Sequence, residues 1–357
     1  MGEALKEYFF QNWILLLVLG AFIVVLLITS FSNRKTTIRY LLLLVSIFLL
    51  SIVVFAEFYI QPVAESKTLR LVLMAIRYSA TPFVLGLVIM VLVKRQNYLI
   101  FIPAGILLIL NIVSIFTGIV FGLDESYELV RGPIGFMPFA VCGLYMVWLI
   151  ALLLIRSNKR WVEILPIIFL SIALTSGVVF PFIFGSKFSQ MFCTIMAVSL
   201  FIYYVFTILE LAKKDGLTGV LNREAYYIET RRDYKDITAI VSLDMNGLKT
   251  INDTYGHAVG DEALVTLALC FTKATRARQS VYRMGGDEFV IVCRKASEEE
   301  VIALVKRIQD NVSMSKYSCS VGYSYHEPGT MKLDDILKES DKQMYSCKSD
   351  FYKNKNK

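Results

Sequence analysis

The stretch Val281-Tyr-Arg-Met-Gly-Gly-Asp-Glu-Phe-Val-Ile-Val-Cys293 consists of two short strand-like runs, Val281–Met284 and Phe289–Cys293, on either side of Gly285-Gly286. Apolar and β-branched residues flanking a glycine pair predict a hairpin. Asp287 and Glu288 sit at its turn. Upstream, Ile237-Thr-Ala-Ile-Val-Ser-Leu243 is a β-branched run of the kind found in buried strands, and it ends in Asp244. Carboxylates at strand ends, in all-oxygen surroundings, suit a hard cation such as Mg²⁺, which usually binds together with substrate phosphates. Adjacent glycines remove side chains where a backbone must approach a ligand closely. Spacing alone leaves this open, because an Asp at a strand end and a Gly-Gly-Asp turn are also ordinary turn chemistry.

Around these strands lie helical patterns. Gly260–Ala274 and Glu298–Val312 carry apolar residues at helical period. The second is opened by Ser297 with Glu300 three residues on, a capping box. Cys319–Tyr323 reads as a further strand and Leu333–Lys348 as a closing helix. Strands alternating with helices predict an α/β sandwich over residues 211–357.

The N-terminal part is different. Of the 357 residues, 56% are hydrophobic and only 19% charged, and the mean hydropathy is +0.57, which excludes disorder and predicts membrane spans. Seven apolar runs are long enough to cross a bilayer: Trp13–Ile28, Ile38–Ile60, Leu71–Val93, Leu99–Val120, Ile134–Ile155, Ile164–Phe184 and Met191–Leu209. They predict an all-α, multi-pass bundle over residues 1–210. The first run has an acidic N-terminal flank and no small-residue cleavage site after it, so it reads as a retained span. The last continues into Glu210-Leu-Ala-Lys-Lys214 and Asp215-Gly216 without a proline or a serine-rich linker. Six scattered cysteines, with no Cys-x-x-Cys and no paired histidines, suggest neither a disulfide framework nor a zinc site.

The net charge of +7 raises the question of a polyanionic partner. Before Asp215 there are 16 Lys and Arg against 9 Asp and Glu; from Asp215 onward there are 21 of each. The excess therefore belongs to the apolar part. There Arg34, Lys35, Arg39, Lys94, Arg95, Arg156, Lys159 and Arg160 fall in alternate loops, whereas the opposite loops hold Lys6, Lys67, Arg70, Arg131 and Lys187 beside several acids. By the positive-inside rule the N-terminus is expected outside and the C-terminal domain in the cytoplasm, and no nucleic-acid partner is called for. No outer segment is long enough to fold alone, the longest being about Phe121–Pro133. Glu57 and Arg77 fall inside spans near their outer ends. The expectation is that each snorkels to the interface; the alternative is a Glu57/Arg77 pair lining an outward-facing pocket.

Four segments, in order and spacing, resemble the diguanylate cyclase, or GGDEF, domain family. They are Asp215-Gly-Leu-Thr-Gly-Val-Leu-Asn-Arg223, the run Leu243–Asp261, Arg283-Met-Gly-Gly-Asp-Glu-Phe-Val290 and Cys319-Ser-Val-Gly-Tyr-Ser324. The resemblance covers essentially all of the C-terminal part and implies a nucleotidyl cyclase fold there, fused to a seven-helix sensor module whose stimulus is unknown. The implied reaction condenses two GTP into cyclic di-GMP with release of pyrophosphate, at Mg²⁺ (or Mn²⁺), between two domains of a homodimer in the lipid bilayer. By the same resemblance Asp244, Glu288 and the Met245 carbonyl match metal positions, and Asp287 matches a carboxylate that assists the metal or the 3′-hydroxyl. Gly285 and Gly286 match the signature turn, Asn252 and Asp261 the guanine readers, Lys249 and Lys348 phosphate-binding lysines, and Leu248 stands where the family usually has Phe. Asn246 replaces a frequent Asp, and Phe351-Tyr352 replaces the usual Gly-Arg, with Lys353 adjacent. Arg276-Ala-Arg-Gln279 stands at the family's Arg-x-x-Asp product-inhibition site, where uncharged Gln279 predicts weak or absent inhibition. A catalytically silent GTP-binding effector is the competing reading, disfavoured by the intact site residues.

Overall fold

The computed structural model describes residues 2–29, 34–60, 67–93, 97–125, 128–157, 161–232, 234–327 and 329–355. The chain forms two compact units, residues 1–208 and 209–357.

The first unit is helical: α1 (Gly2–Ile28), α2 (Arg34–Ile60), α3 (Lys67–Val93), α4 (Ile102–Thr117), α5 (Met137–Arg156), α6 (Trp161–Phe184) and α7 (Phe192–Ala212). All seven runs, α4 together with the 3₁₀ turn before it, are long and apolar enough to cross a membrane. Their surfaces are inverted relative to a water-soluble bundle. Phe10, Leu17, Phe116 and Val147 are exposed, while Asn12, Ser51, Ser79, Asn111 and Ser199 are buried. The buried polar groups pair across helices, Tyr8 with Ser51 at 2.8 Å and Asn111 Nδ2 donating to Ser79 Oγ at 2.9 Å, as packing in hydrocarbon favours. Phe22, Tyr40, Phe201 and Tyr204 form an aromatic knot with ring centroids 4.8 to 5.8 Å apart.

Between α4 and α5 a short hairpin, β1 (Phe121–Leu123) with β2 (Leu129–Arg131), was not foreseen from sequence. Ser114 holds it: its Oγ accepts from the Val120 and Phe121 N–H groups and donates to the Phe121 carbonyl. The snorkelling expectation is corrected. Glu57 and Arg77 are buried, 2% and 4% exposed, and Arg77 Nη1 lies 2.8 Å from Glu57 Oε2. A buried charge without a partner is far costlier than a paired one, and helices α2 and α3 place these two opposite each other. Of the basic residues assigned to loops, Lys94, Arg95, Lys159 and Arg160 lie outside the described residues, as does Glu65.

In the second unit, β3 (Leu221–Asn222), β4 (Ile237–Met245), β5 (Gln279–Gly285), β6 (Glu288–Arg294) and β7 (Cys319–Tyr325) form one sheet in the order β3-β5-β6-β4-β7. The β3–β5 pairing is parallel and the rest antiparallel. Helices α10 (His257–Ala274) and α11 (Glu298–Ser313) cover one face around Val241, Leu243, Phe271, Phe289 and Ile291. Helices α8 (Arg223–Arg232) and α12 (Leu333–Lys355) cover the other around Tyr226, Ile240, Tyr282, Val290 and Ile336. Every residue of β4 is buried, as its unbroken β-branched run requires of a central strand. The capping box at Ser297 is formed, with both reciprocal bonds present. Helix α8, whose apolar period is weak, and α9 (Leu248–Tyr255), only eight residues long, were not read from sequence; α12 runs seven residues past its expected end.

Candidate active site

The face of the sheet under α12 carries the acidic cluster. Asp244 and Glu288 are direct cross-strand partners in the β4–β6 ladder, so their side chains lie side by side on one face. The Met245 N–H donates to the Asp287 carbonyl at 3.1 Å, which ties the glycine hairpin to the end of β4. Gly286 has φ +51°, a left-handed conformation that a side chain would strain. Arg283 clamps the turn from outside. Its Nε and Nη2 donate to the Gly286 carbonyl at 3.1 and 2.8 Å, and its Nη1 donates to Asp215 Oδ1 at 3.0 Å. Asp215 in turn accepts from the Thr218 N–H and hydroxyl. Burial works to raise the Asp215 pKa, but these bonds outweigh it and hold the carboxyl below its ordinary value.

Helix α12 reaches the cluster through one stripe spaced by four residues. Ser340 Oγ meets Ser242 Oγ at 2.8 Å, Met344 is buried, and Lys348 Nζ lies 2.6 Å from Asp244 Oδ1. The helix comes this close because β7 has Gly322 beneath it: a Cβ there would stand 2.2 Å from the Met344 nitrogen and 2.3 Å from the Ser340 carbonyl. Burial raises the Asp244 pKa, opposed by Lys348 and reinforced by Asp287. Burial also raises that of Glu288, and Asp244, Asp287 and Asp341 add to it. The cluster thus holds more negative charge than Lys348 neutralises. A hard cation fits this donor set of carboxylates and backbone carbonyls. Among the described residues no three His, Cys, Asp or Glu side chains stand at metal-holding spacing, so ligands besides carboxylates would complete its shell.

The other expected residues lie at the α9–α10 elbow. Gly247, with φ +71°, starts α9, and its N–H donates to the Tyr352 hydroxyl at 3.1 Å. Leu248 packs against the core beneath α10, and Lys249 is exposed on the first turn of α9. Asn252 Oδ1 is buried with no hydrogen-bond partner among the described residues. It sits against Gly260, where a Cβ would stand only 1.9 Å from that oxygen. Asp261 is exposed one residue further along α10. Asn246 is turned away, its Oδ1 accepting from Ser320 Oγ at 2.9 Å, so the replaced Asp of the metal segment is absorbed into the β4–β7 pairing. Gln279 likewise spends its side chain locally, accepting the Arg276 N–H at 2.8 Å. Arg276, Arg278, Arg294 and Arg307 still line a cavity of about 250 Å³ beside it.

Two residues that sequence reading passed over belong to the neighbourhood. Arg223 and Asp341 line a hollow of about 200 Å³ with Glu288. Asp341 was legible in principle: it is seven residues before Lys348, so both project from one side of a helix.

Residues 212–354 match the family model described as diguanylate cyclase, GGDEF domain. The diguanylate cyclase DgcM of Escherichia coli K12 is 31% identical over 151 residues, 39% of this chain and 37% of that protein. The probable diguanylate cyclase DgcC of the same organism is 30% identical over 153 residues, 39% of this chain and 41% of that protein. The chain therefore spans well under half the length of these curated relatives. Among solved structures, the coiled coil and GGDEF domain of DgcB from Caulobacter crescentus, in complex with c-di-GMP, is 21% identical, with a TM-score of 0.41, covering 46% of this chain and 95% of that one. With four motif segments meeting at one end of the sheet and its flanking elbow, and the family model matching across them, residues 212–354 belong to the GGDEF diguanylate cyclase domain family.

Proposed function

We propose that the protein is a membrane-bound diguanylate cyclase that condenses two GTP into cyclic di-GMP and two pyrophosphates as a homodimer controlled by its seven-helix unit. The observation that carries this is the Asp244–Glu288 pair, cross-strand neighbours at the glycine hairpin with Lys348 on Asp244. Asp244, Glu288 and the Met245 carbonyl would hold Mg²⁺, or Mn²⁺ in its place, with Asp287 assisting. The cation would neutralise charge on the triphosphate.

The remaining work falls to the chain's own residues. Asn252 Oδ1, an acceptor without a partner among the described residues, would take a guanine N–H, and Asp261 would read the same donor edge. Lys249 and Lys348 would bind phosphate oxygens. In each half-reaction a 3′-oxygen of one GTP forms a bond to the α-phosphorus of the other. The α–β phosphoanhydride bond breaks, pyrophosphate leaves, and the hydroxyl proton passes toward Asp287 or solvent. Each domain presents a single GTP, so two domains must face each other, and their positioning is the natural point of control. Helix α7 runs without a break from Phe192 to Ala212, which supports direct coupling of the apolar unit to the start of the enzyme domain. The basic loops support a multi-pass bacterial plasma-membrane protein with its C-terminal domain in the cytoplasm.

The full chain in proteoliposomes, incubated with GTP and Mg²⁺, should form cyclic di-GMP detectable by mass spectrometry, with specific activity rising with protein density. Asp244→Asn and Glu288→Gln should each abolish it. Retained GTP binding with no product from the unaltered protein would establish the silent-effector reading instead.

A further inference from the structure

Two hollows in the helical unit share a wall. The smaller, about 60 Å³, is lined by Arg77, Tyr78, Thr81, Cys142 and Ser189 among others. The larger, about 500 Å³, runs between α5 and α6, and every side chain lining it is apolar except Thr175. Phe139 and Val178 belong to both. The larger hollow opens on the bundle surface, where Val147 and Ile183 on its rim are 68% and 62% exposed.

Arg77 is the charged residue lining the smaller hollow. Its Nη1 is taken by Glu57, and the rings of Phe58 and Tyr78 lie 5.3 and 4.6 Å from the guanidinium carbon. Tyr78 also reaches the guanidinium with its side chain, but neither buried Nη atom makes a well-directed hydrogen bond among the described residues. A guanidinium with more N–H groups than acceptors in an apolar interior is costly, so the site calls for a further acceptor from outside the protein. The planar guanidinium matches a carboxylate best, through paired N–H···O bonds. At about 30 Å³ per water, the recess has room for roughly two water molecules. That accommodates a carboxylate head and is too small for a phospholipid headgroup with its glycerol. The adjoining apolar groove has the dimensions and chemistry for an acyl chain.

We propose that the seven-helix unit binds a fatty acid, its carboxylate on Arg77 and its chain in the groove between α5 and α6, entering from the lipid side. The site lies by the Phe192 end of α7, about 30 Å along that helix from Ala212. Gly143, on the groove floor, supplies a clean control. A Cβ there meets nothing within 4 Å, so a larger side chain would occupy the groove without disturbing the Glu57–Arg77 pair.

The experiment is a binding titration of the full chain, purified in fatty-acid-free maltoside micelles, with radiolabelled palmitate. Saturable binding of one palmitate per chain is expected, weakened tenfold or more by Arg77→Gln and by Gly143→Leu, with circular dichroism confirming that each variant remains helical. Methyl palmitate and butyrate should compete at least tenfold less well. Equal competition by the methyl ester would overturn the role of Arg77, and equal competition by butyrate would overturn the groove. Non-saturable uptake indifferent to both variants would overturn the site altogether. If Arg77→Gln does not fold, Gly143→Leu and the two competitors decide the matter. Because the readout is binding, its failure leaves the reading of the GTP site untouched.

Discussion

The surroundings of Glu288 disfavour its charged form. Burial and the carboxylates of Asp244, Asp287 and Asp341 all push its pKa up, so the folded protein binds a proton there more readily than the unfolded chain does. By linkage, stability is then lost as pH rises through the ordinary carboxylate range toward the raised value. Glu288→Gln should therefore raise the melting temperature of the metal-free protein at neutral pH while abolishing product, and the gain should vanish in acid; calorimetry against pH checks both. The same sign makes Mg²⁺ affinity fall on acidification from a higher pH than an unperturbed carboxylate would. Gly260 gives a second residue-scale prediction. Gly→Ala within a helix ordinarily stabilises by about 1 kcal/mol, but here the new Cβ would displace Asn252 Oδ1 from 1.9 Å away. Gly260→Ala should weaken GTP binding roughly tenfold, the worth of about 1.4 kcal/mol of lost hydrogen bonding, read by fluorescent-nucleotide titration. At Gln279 the side chain already accepts the Arg276 N–H, and the two carboxylates that line the arginine-rich cavity, Glu299 and Glu300, are engaged by Ser297. Product inhibition should be weak. Sub-micromolar inhibition that Arg276→Ala removes would refute this.

Among the elements, α12 decides whether the acidic cluster has its counter-charge. The Ile336, Ser340, Met344 and Lys348 stripe lies on β4 and β7 only because Gly322 lets the helix backbone approach. Gly322→Val should destabilise by about 1–3 kcal/mol through overpacking. It should also lift Lys348 from Asp244, so activity falls further than stability alone accounts for; melting and kcat measured on the same preparation separate the two. Helix α9 illustrates the opposite case. Its apolar residues do share one face, but two turns are too short for that period to stand out in sequence, and its existence depends on Gly247 starting it and on the packing of Leu248 and Ile251 against the sheet core.

At the scale of the whole chain, the apolar packing of the helical unit encloses the Glu57–Arg77 ion pair. Arg77→Met should leave Glu57 buried and uncompensated at a cost of about 3–5 kcal/mol, while Glu57→Arg combined with Arg77→Glu should recover part of the loss in detergent-solubilised melts. Exchange that recovers nothing would mean the surroundings, and not the pairing, fix the two charges. The amino-acid sequence by itself determined the division into an apolar and a mixed part, the seven spans, the central strands and the motif residues. Each is written in local periodicity, composition or contiguous spacing, which need no knowledge of what folds against what. The tertiary structure alone decided that Glu57 meets Arg77, that Lys348 reaches Asp244 from 104 positions away in the sequence, that Asp341 joins the acidic field, and that Gly260 and Gly322 hold open the space for Asn252 and α12. These depend on side chains far apart in the chain arriving at one place, and no local pattern encodes an approach distance between two elements.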